Sequence, residues 1–229
     1  MRSWIGRVVF GLGGFLVVAG LLGLVWAPGV VEKTPVDVKT ITYLDGEAGK
    51  LDASTGELVR NPIFAISDTR TDSDVSTDDV VAWVSTSCVM IDRGGERECV
   101  DGSADMITAS VDVFATDRVT GEAVNEGVDL PADATPHEGL VNKWPFNAEQ
   151  TTYPYWDGTL GRTVDAVYDR TEDVGGLETY VYKVSVVEAP AEVAAGTQGT
   201  YSTAKEIFVE DMDGDGSDEL YVIMPMRLE

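Results

Sequence analysis

The chain is poor in the residues that carry most enzyme chemistry. Its 229 residues include one histidine, His137, and two cysteines, Cys88 and Cys99. A zinc site would lack ligands. No CxxC pair exists to act as a redox couple, and no Ser or Cys sits in a recognisable nucleophile elbow. Carboxylate pairs are too numerous to be informative, so a glycosidase-like pair stays open. Otherwise nothing supports catalysis, and no enzyme is expected. Lysine is also scarce, with six against 23 aspartates, and the net charge is −24. Nucleic acid and an anionic membrane surface are excluded as direct partners, because both would be repelled. The acidic residues are spread along the chain, which suits either a high-salt habitat or solubility at a crowded cell surface.

Charge is missing altogether from Val8 to Pro28. About 20 apolar residues, as a helix, cross a hydrocarbon core of roughly 30 Å. A cleaved signal peptide is the competing reading, but its apolar region is shorter and ends in small residues. Here the run ends Leu24-Val25-Trp26-Ala27-Pro28, a poor cleavage site, and no cysteine follows for lipoprotein processing. Trp4 and Trp26 mark the two ends, where amphipathic rings favour the headgroup level. Gly11, Gly13, Gly14 and Gly20 suit close helix approach. Arg2 and Arg7 precede the run and Glu32 follows it. The positive-inside bias therefore keeps the N-terminus cytoplasmic and puts the rest outside. The expected organisation is a cytoplasmic stub and membrane helix over 1–28, then an extracytoplasmic β-rich domain over 29–229.

Past the anchor there is no amphipathic helical period longer than two turns. Strand-forming residues instead fill Val38–Leu44, Ile63–Arg70, Val80–Ile91, Met106–Thr116, Thr163–Tyr168, Thr179–Val187, Lys205–Val209 and Leu220–Met224. In Met106–Thr116, Ile107, Ala109, Val111, Val113 and Ala115 share one face, and Thr108, Ser110, Asp112 and Thr116 the other. That period of two predicts a half-buried strand, with Phe114 breaking the polar face as the mark of a second buried layer. The fold class is all-β, an antiparallel sheet or sandwich after one transmembrane helix. The segment 126–147, with Pro131, Pro136 and Pro145, reads as a long connection. The stretch 189–199 reads as a flexible loop. The motif D-x-x-T-G-E-x-V occurs at Asp52–Val59 and again at Asp117–Val124. It is turn chemistry: Asp bonds its own backbone and Gly takes positive φ.

Between Cys88 and Cys99 the midpoint falls at Arg93-Gly94, inside a turn-like Asp-Arg-Gly-Gly. A hairpin closed there sets the two sulfurs opposite each other, and an oxidising compartment lets them join. So short a loop limits the gain to about 2–3 kcal/mol.

Four segments form a recognisable series: His137-Glu138-Gly139-Leu140, Lys143-Trp144-Pro145-Phe146, Tyr153-Pro154-Tyr155-Trp156-Asp157 and Gly176-Leu177-Glu178-Thr179-Tyr180. With the anchor and the two D-x-x-T-G turns, the chain resembles the actinobacterial porin PorA family over roughly residues 1–210. The resemblance implies a cell-envelope protein with an N-terminal membrane helix and a β-rich outer domain. It also implies a second, C-terminal membrane helix, which is not found before Glu229. A membrane barrel needs aromatic girdles at the ends of many strands, whereas the aromatics here gather around residues 144–156. Trp144, Phe146, Tyr153, Tyr155 and Trp156 are candidates to stack on a sugar or line a lipid pocket, although such a cluster is more often core or loop packing.

The run Asp211–Leu220 places carboxylates at alternate positions beside glycines, a spacing that suits Ca²⁺. It is no EF-hand, because the twelfth position is Val222 rather than Glu. It resembles FG-GAP-type calcium loops. That likeness implies side-chain ligands from Asp211, Asp213, Asp215 and Glu219 and a backbone carbonyl from Ser217. Calcium is thus the expected cofactor, in a structural role. Taken together, the sequence points to a single-pass plasma-membrane protein with a non-enzymatic binding or structural role at the cell surface. Its partners are the bilayer, through the helix, and an envelope lipid, glycan or protein. The alternative is a transport component, either a pore or a lipid or solute conduit.

Overall fold

The computed structural model describes residues 2–26, 33–51, 57–145, 148–194, 197–210 and 219–223. The apolar N-terminal run forms one helix, α1 (Arg2–Trp26), of 25 residues. At about 1.5 Å per residue that spans more than the hydrocarbon core. Gly6–Gly23 is the candidate membrane span, and all of it is exposed. A core helix of a soluble protein would be covered, so this helix leaves its apolar surface for lipid or a partner.

Among the described residues, all the other elements are strands. They are β1 (Lys39–Leu51), β2 (Leu58–Asp72), β3 (Val80–Ile91), β4 (Met106–Asp117), β5 (Tyr153–Asp157), β6 (Arg162–Val174), β7 (Leu177–Ala194), β8 (Thr197–Glu210) and β9 (Glu219–Ile223). They make a four-stranded sheet, β1-β2-β3-β4, and a five-stranded sheet, β5-β6-β7-β8-β9. The registers are antiparallel, as β-branched runs joined by short turns dictate. Two compact units divide the chain. One comprises Met1–Thr34, Asn142–Tyr153 and Asp165–Glu229, the other Pro35–Val141 and Pro154–Val164.

Six of the eight segments expected as strands lie wholly in strands. The first begins one residue before β1, at Val38, and the last ends at Met224, outside the described residues, while 126–147 holds no strand among its described residues. The short strand β5, which contains Pro154, escapes the sequence patterning. The described residues of 189–199, namely 189–194 and 197–199, are not a loop, because they belong to the paired ends of β7 and β8. Along β7 the inward positions are Tyr182, Val184 and Val186, then Ala189 and Ala191. A register shift between Val186 and Ala189, with Glu188 at φ 48°, absorbs the odd residue. This bulge restores the inward set after the alternation breaks.

The expected hairpin at Arg93–Gly94 is also corrected. Asp92 does accept the Gly94 amide at 2.7 Å, and Gly94 takes φ 72°, so the turn is present. The partner of β3 is nevertheless β4, beyond residue 105, and Cys99 lies in the intervening irregular segment. That segment brings Cys99 back to Cys88, and the disulfide forms with Cα atoms 6.0 Å apart. Cys88 packs with Phe64 and Met90, flanked by Ile66 and Met106.

Strand β4 forms where expected, but its burial does not alternate: residues 107–111 are exposed on both faces and 114–116 are buried. Val111 is 71% exposed, whereas Phe114 is 4% exposed. The core over this end of the sheet is Val81, Trp83, Phe114, Val141 and Trp156. Trp83 stacks on Phe114 with ring centroids 6.4 Å apart, and its Nε1–H donates to the Thr116 hydroxyl at 3.0 Å. Ala115, on the other face, is 2% exposed and Thr116 is fully buried, so both faces of β4 are covered at its Phe114 end.

Candidate functional site

The segment 121–141 is tied down by its backbone. The turn before it is built as the D-x-x-T-G motif predicts. Asp117 Oδ1 accepts the amides of Val119 and Thr120, each at 2.8 Å, and Gly121 sits at φ 73°. The other copy of the motif lies mostly in 52–56, outside the described residues. Further on, Ala123 N–H donates to the Gly139 carbonyl, Leu140 N–H to Pro154, and Trp156 N–H to Leu140. Leu140 and Tyr155 form a parallel bridge. Gly139 is forced by this threading. Its φ is +66°, and a Cβ there would collide with the Pro154 carbonyl.

His137 sits inside this knot and is 2% exposed. Asn125 clamps its backbone from both sides. The Asn125 Nδ2 donates to the His137 carbonyl at 2.7 Å, and the His137 N–H donates to Asn125 Oδ1 at 3.0 Å. The ring lies between Phe114 and Trp156, with centroids 5.1 and 4.5 Å away. Its Nδ1 bonds the Thr135 carbonyl at 2.7 Å and its Nε2 meets Asp112 Oδ2 at 3.0 Å. Both nitrogens are engaged, so neither is open to a substrate proton or a metal. Sequence reasoning noted His137 but not Asp112 or Asn125. The signal was there in Phe114, an aromatic set within a polar strand face.

The aromatics singled out from sequence divide between the two units. Trp144 and Tyr153 belong to the first unit, Tyr155 and Trp156 to the second. Phe146 lies outside the described residues. Trp144 is 1% exposed and lies 5.2 Å from the Tyr182 ring. Tyr153 and Tyr168 meet Tyr182 edge-on at 5.7 and 6.0 Å. The Tyr182 hydroxyl donates to the Glu149 carbonyl at 2.6 Å, and burial pushes its phenol pKa up. These rings, as described, pack against protein.

On the exposed side of β6–β8 a charge network replaces aromatics. Arg170 bonds Glu206 and Asp169 at 3.1 and 2.8 Å and also meets Glu172. Lys183 reaches Asp169 at 2.8 Å. The hydrogen bond from Arg170 holds the Glu206 carboxyl below its ordinary value, and the one from Lys183 does the same for Asp169. Arg170 is shifted up in turn, chiefly by Glu206.

For the expected calcium ligands, Asp211, Asp213, Asp215 and Ser217 lie outside the described residues, and of Glu219 only the backbone in β9 is described. Among the described residues no group of three His, Cys, Asp or Glu is placed to hold a metal. The disulfide pair Cys88–Cys99 is formed.

Comparison with curated proteins gives no match. Residues 5–215 match the family described as Porin PorA. The match takes in the apolar helix, both sheets up to β8 and the His137–Leu140 knot, and so the chain belongs to the Porin PorA family.

Proposed function

We propose that this chain is a membrane-anchored envelope protein serving transport of solute or lipid, without a catalytic step. The observation that carries the reading is an exposed apolar helix at Gly6–Gly23 in a chain that matches a porin family over residues 5–215. The family favours transport over a purely binding or organising role at the surface. The helix spans the plasma membrane with its N-terminus cytoplasmic, in keeping with Arg2 and Arg7 before the run. The β-rich part then lies outside, where the Cys88–Cys99 disulfide forms. Absence of catalysis is supported by His137, whose two ring nitrogens are both engaged.

The four-stranded sheet is proposed to work in water rather than as a lipid-facing wall. Its β1–β2 pairs Lys39↔Arg70 and Ile41↔Asp68 set charges on the same face as Val111 and Val113. A charged residue facing lipid near the midplane costs about 2–4 kcal/mol. The same charges favour a second reading, in which the domain only binds or organises an envelope lipid, glycan or protein. Reconstitution of the full chain in planar bilayers and liposomes separates the two. Conductance or solute flux that is lost when residues 1–28 are removed supports transport. An inert full chain, with unchanged envelope permeability in cells lacking the gene, overturns transport and leaves the binding role.

A further inference from the structure

We infer that the open edge of β4 pairs with the same edge of a second copy of this chain, antiparallel and about a two-fold axis at Ala109. The inference takes α1 as the membrane anchor proposed above and is independent of transport.

A sheet edge offers unpaired N–H and C=O groups to any passing strand, and proteins blunt such edges with charge, proline or short length. The other three edges carry these devices. Strand β1 holds Lys39, Asp45, Glu47 and Lys50. Strands β5 and β9 have five described residues each, and β5 contains Pro154. The far end of β4 is covered, since the Val124 N–H donates to the Ala115 carbonyl and the Asp117 N–H to Glu122. From Met106 to Val111, however, β4 has neither charge nor proline, in a chain whose net charge is −24. Residues 107–111 are exposed on both faces. A register shift opposite Val89 and Met90 bends the start of this run and leaves the rest straight.

The run Ile107-Thr108-Ala109-Ser110-Val111 is its own complement. A two-fold axis at Ala109 sets Ile107 opposite Val111 of the second copy, Thr108 opposite Ser110, and Ala109 opposite itself. Apolar meets apolar, hydroxyl meets hydroxyl and small meets small. Asp112, the nearest charge, falls opposite Met106 and away from its own counterpart. The hydrogen-bond phase agrees. The outward bonds of Ala115 and Asp117 show that odd-numbered residues turn their backbone groups away from β3, and the unbroken register from Val80↔Asp117 to Cys88↔Ala109 extends this to Ala109. The two Ala109 residues can then exchange both backbone bonds. The hydroxyl pair Ser87–Ser110, at 2.8 Å, continues across the axis to Thr108 of the second copy. A contact of this symmetry closes at two copies.

So few residues cover less than the roughly 800 Å² per partner of a standard soluble complex. Two copies anchored by α1 in one bilayer are already concentrated and alike in orientation, which makes a small edge contact sufficient.

The test uses the full chain, labelled in separate batches with donor and acceptor fluorophores and reconstituted together in neutral-lipid liposomes. Energy transfer between copies is expected. Ala109→Lys and Ala109→Glu each set like charges face to face at the axis, and each alone should weaken pairing about fivefold, the upper range for one cross-strand pair. Mixing the Lys and Glu variants should restore it. In the unaltered chain, exchange of the Ala109 amide should slow about tenfold from dilute to dense liposomes, the scale of one backbone bond. Protection of Val81, central and fully buried, should not change. Transfer that persists in both charged variants would put the contact on α1 or another surface and overturn the inference. So would a mixture that fails to recover while Val81 stays protected. Where a variant folds poorly the unaltered chain decides, and Ala109 exchange indifferent to density sinks the idea.

Discussion

The guanidinium of Arg97 lies over the ring of Phe64, 5.9 Å from its centroid. The same group bonds Asp45 at 2.7 Å and Asp92 at 3.4 Å. Arg93 adds a bond to Asp105 at 2.9 Å. The segment between β3 and β4 is thus laid against Phe64 on β2 and Cys88 on β3, with the disulfide as its covalent fastening. Salt bridges at an exposed surface contribute little by themselves, so the fastening is the larger effect.

Cys99→Ser should therefore destabilise the four-stranded unit by about 2–3 kcal/mol, given a loop closed over a separation of 11 residues. Denaturant midpoints should fall for the unaltered protein on adding reductant and should not move further for Cys99→Ser. Equal midpoints for oxidised protein and variant would show that Arg97 and Arg93 hold the segment unaided.

Gly139→Ala tests the knot around His137. At φ +66° any side chain is strained, and here the new methyl meets the Pro154 carbonyl. Gly94, at φ +72°, has nothing near its missing Cβ. Gly94→Ala should cost about 1–2 kcal/mol, the ordinary penalty of the left-handed region. Gly139→Ala should cost about 3 kcal/mol or more, since backbone strain and collision add. Thermal unfolding of both variants checks the difference, and equal losses would mean that the close approach of residues 139 and 154 relaxes freely.

Much of the architecture was legible because β-branched runs such as Val80–Ile91 specify a strand by themselves. Which face would be buried was not. In β4 the alternation predicts one buried face, yet Val111 on the apolar face is exposed and Phe114 on the polar face is buried beside Ala115. Burial depends on what the segment 137–141 and Trp156 bring to that face, which no local pattern records. The β7–β8 ends were read as a loop because the bulge at Glu188 breaks the alternation and the inward residues there are only alanines. The pairing of Asp112 with His137 spans 25 positions and joins two polar residues. Neither carries a hydrophobic signal, so only the fold could bring them together.

Arg170 organises the acidic face of β6–β8, and its loss should be read at low pH. A carboxylate held below its ordinary value contributes stability that is present above the unfolded-state value and lost as pH falls through the folded one. Glu206, depressed first by its bond from Arg170, and Asp169, depressed first by Lys183 and then by Arg170, both behave this way. Arg170→Gln should release Glu206 toward its ordinary value and Asp169 by a smaller amount. In an acid titration the two carboxyl signals should move up in pH, Glu206 further. Asp169 is exposed and Glu206 partly so, so the stability change should be small and weaker at high salt. Unmoved titrations would show that Lys183 alone sets the field.

The acidic run from Asp211 to Glu219 gives the last prediction. Asp211, Asp213, Asp215, Asp218 and Glu219 place five carboxylates in nine residues of a chain whose net charge is −24. Without a cation they repel one another, and a hard divalent ion removes that repulsion at once. Calcium is proposed to bind this acidic run just before β9, which pairs with β8 through Glu210↔Glu219 to Glu206↔Ile223. At a hundred times its Kd, calcium should add about 2.7 kcal/mol, several degrees in the thermal midpoint. The melt should be run at fixed high ionic strength, because plain screening also relieves repulsion. Asp213→Ala should abolish the calcium shift and leave the response to monovalent salt. A melt indifferent to calcium and chelator would reduce the run to an acidic turn, its aspartates and glycines present for backbone conformation alone.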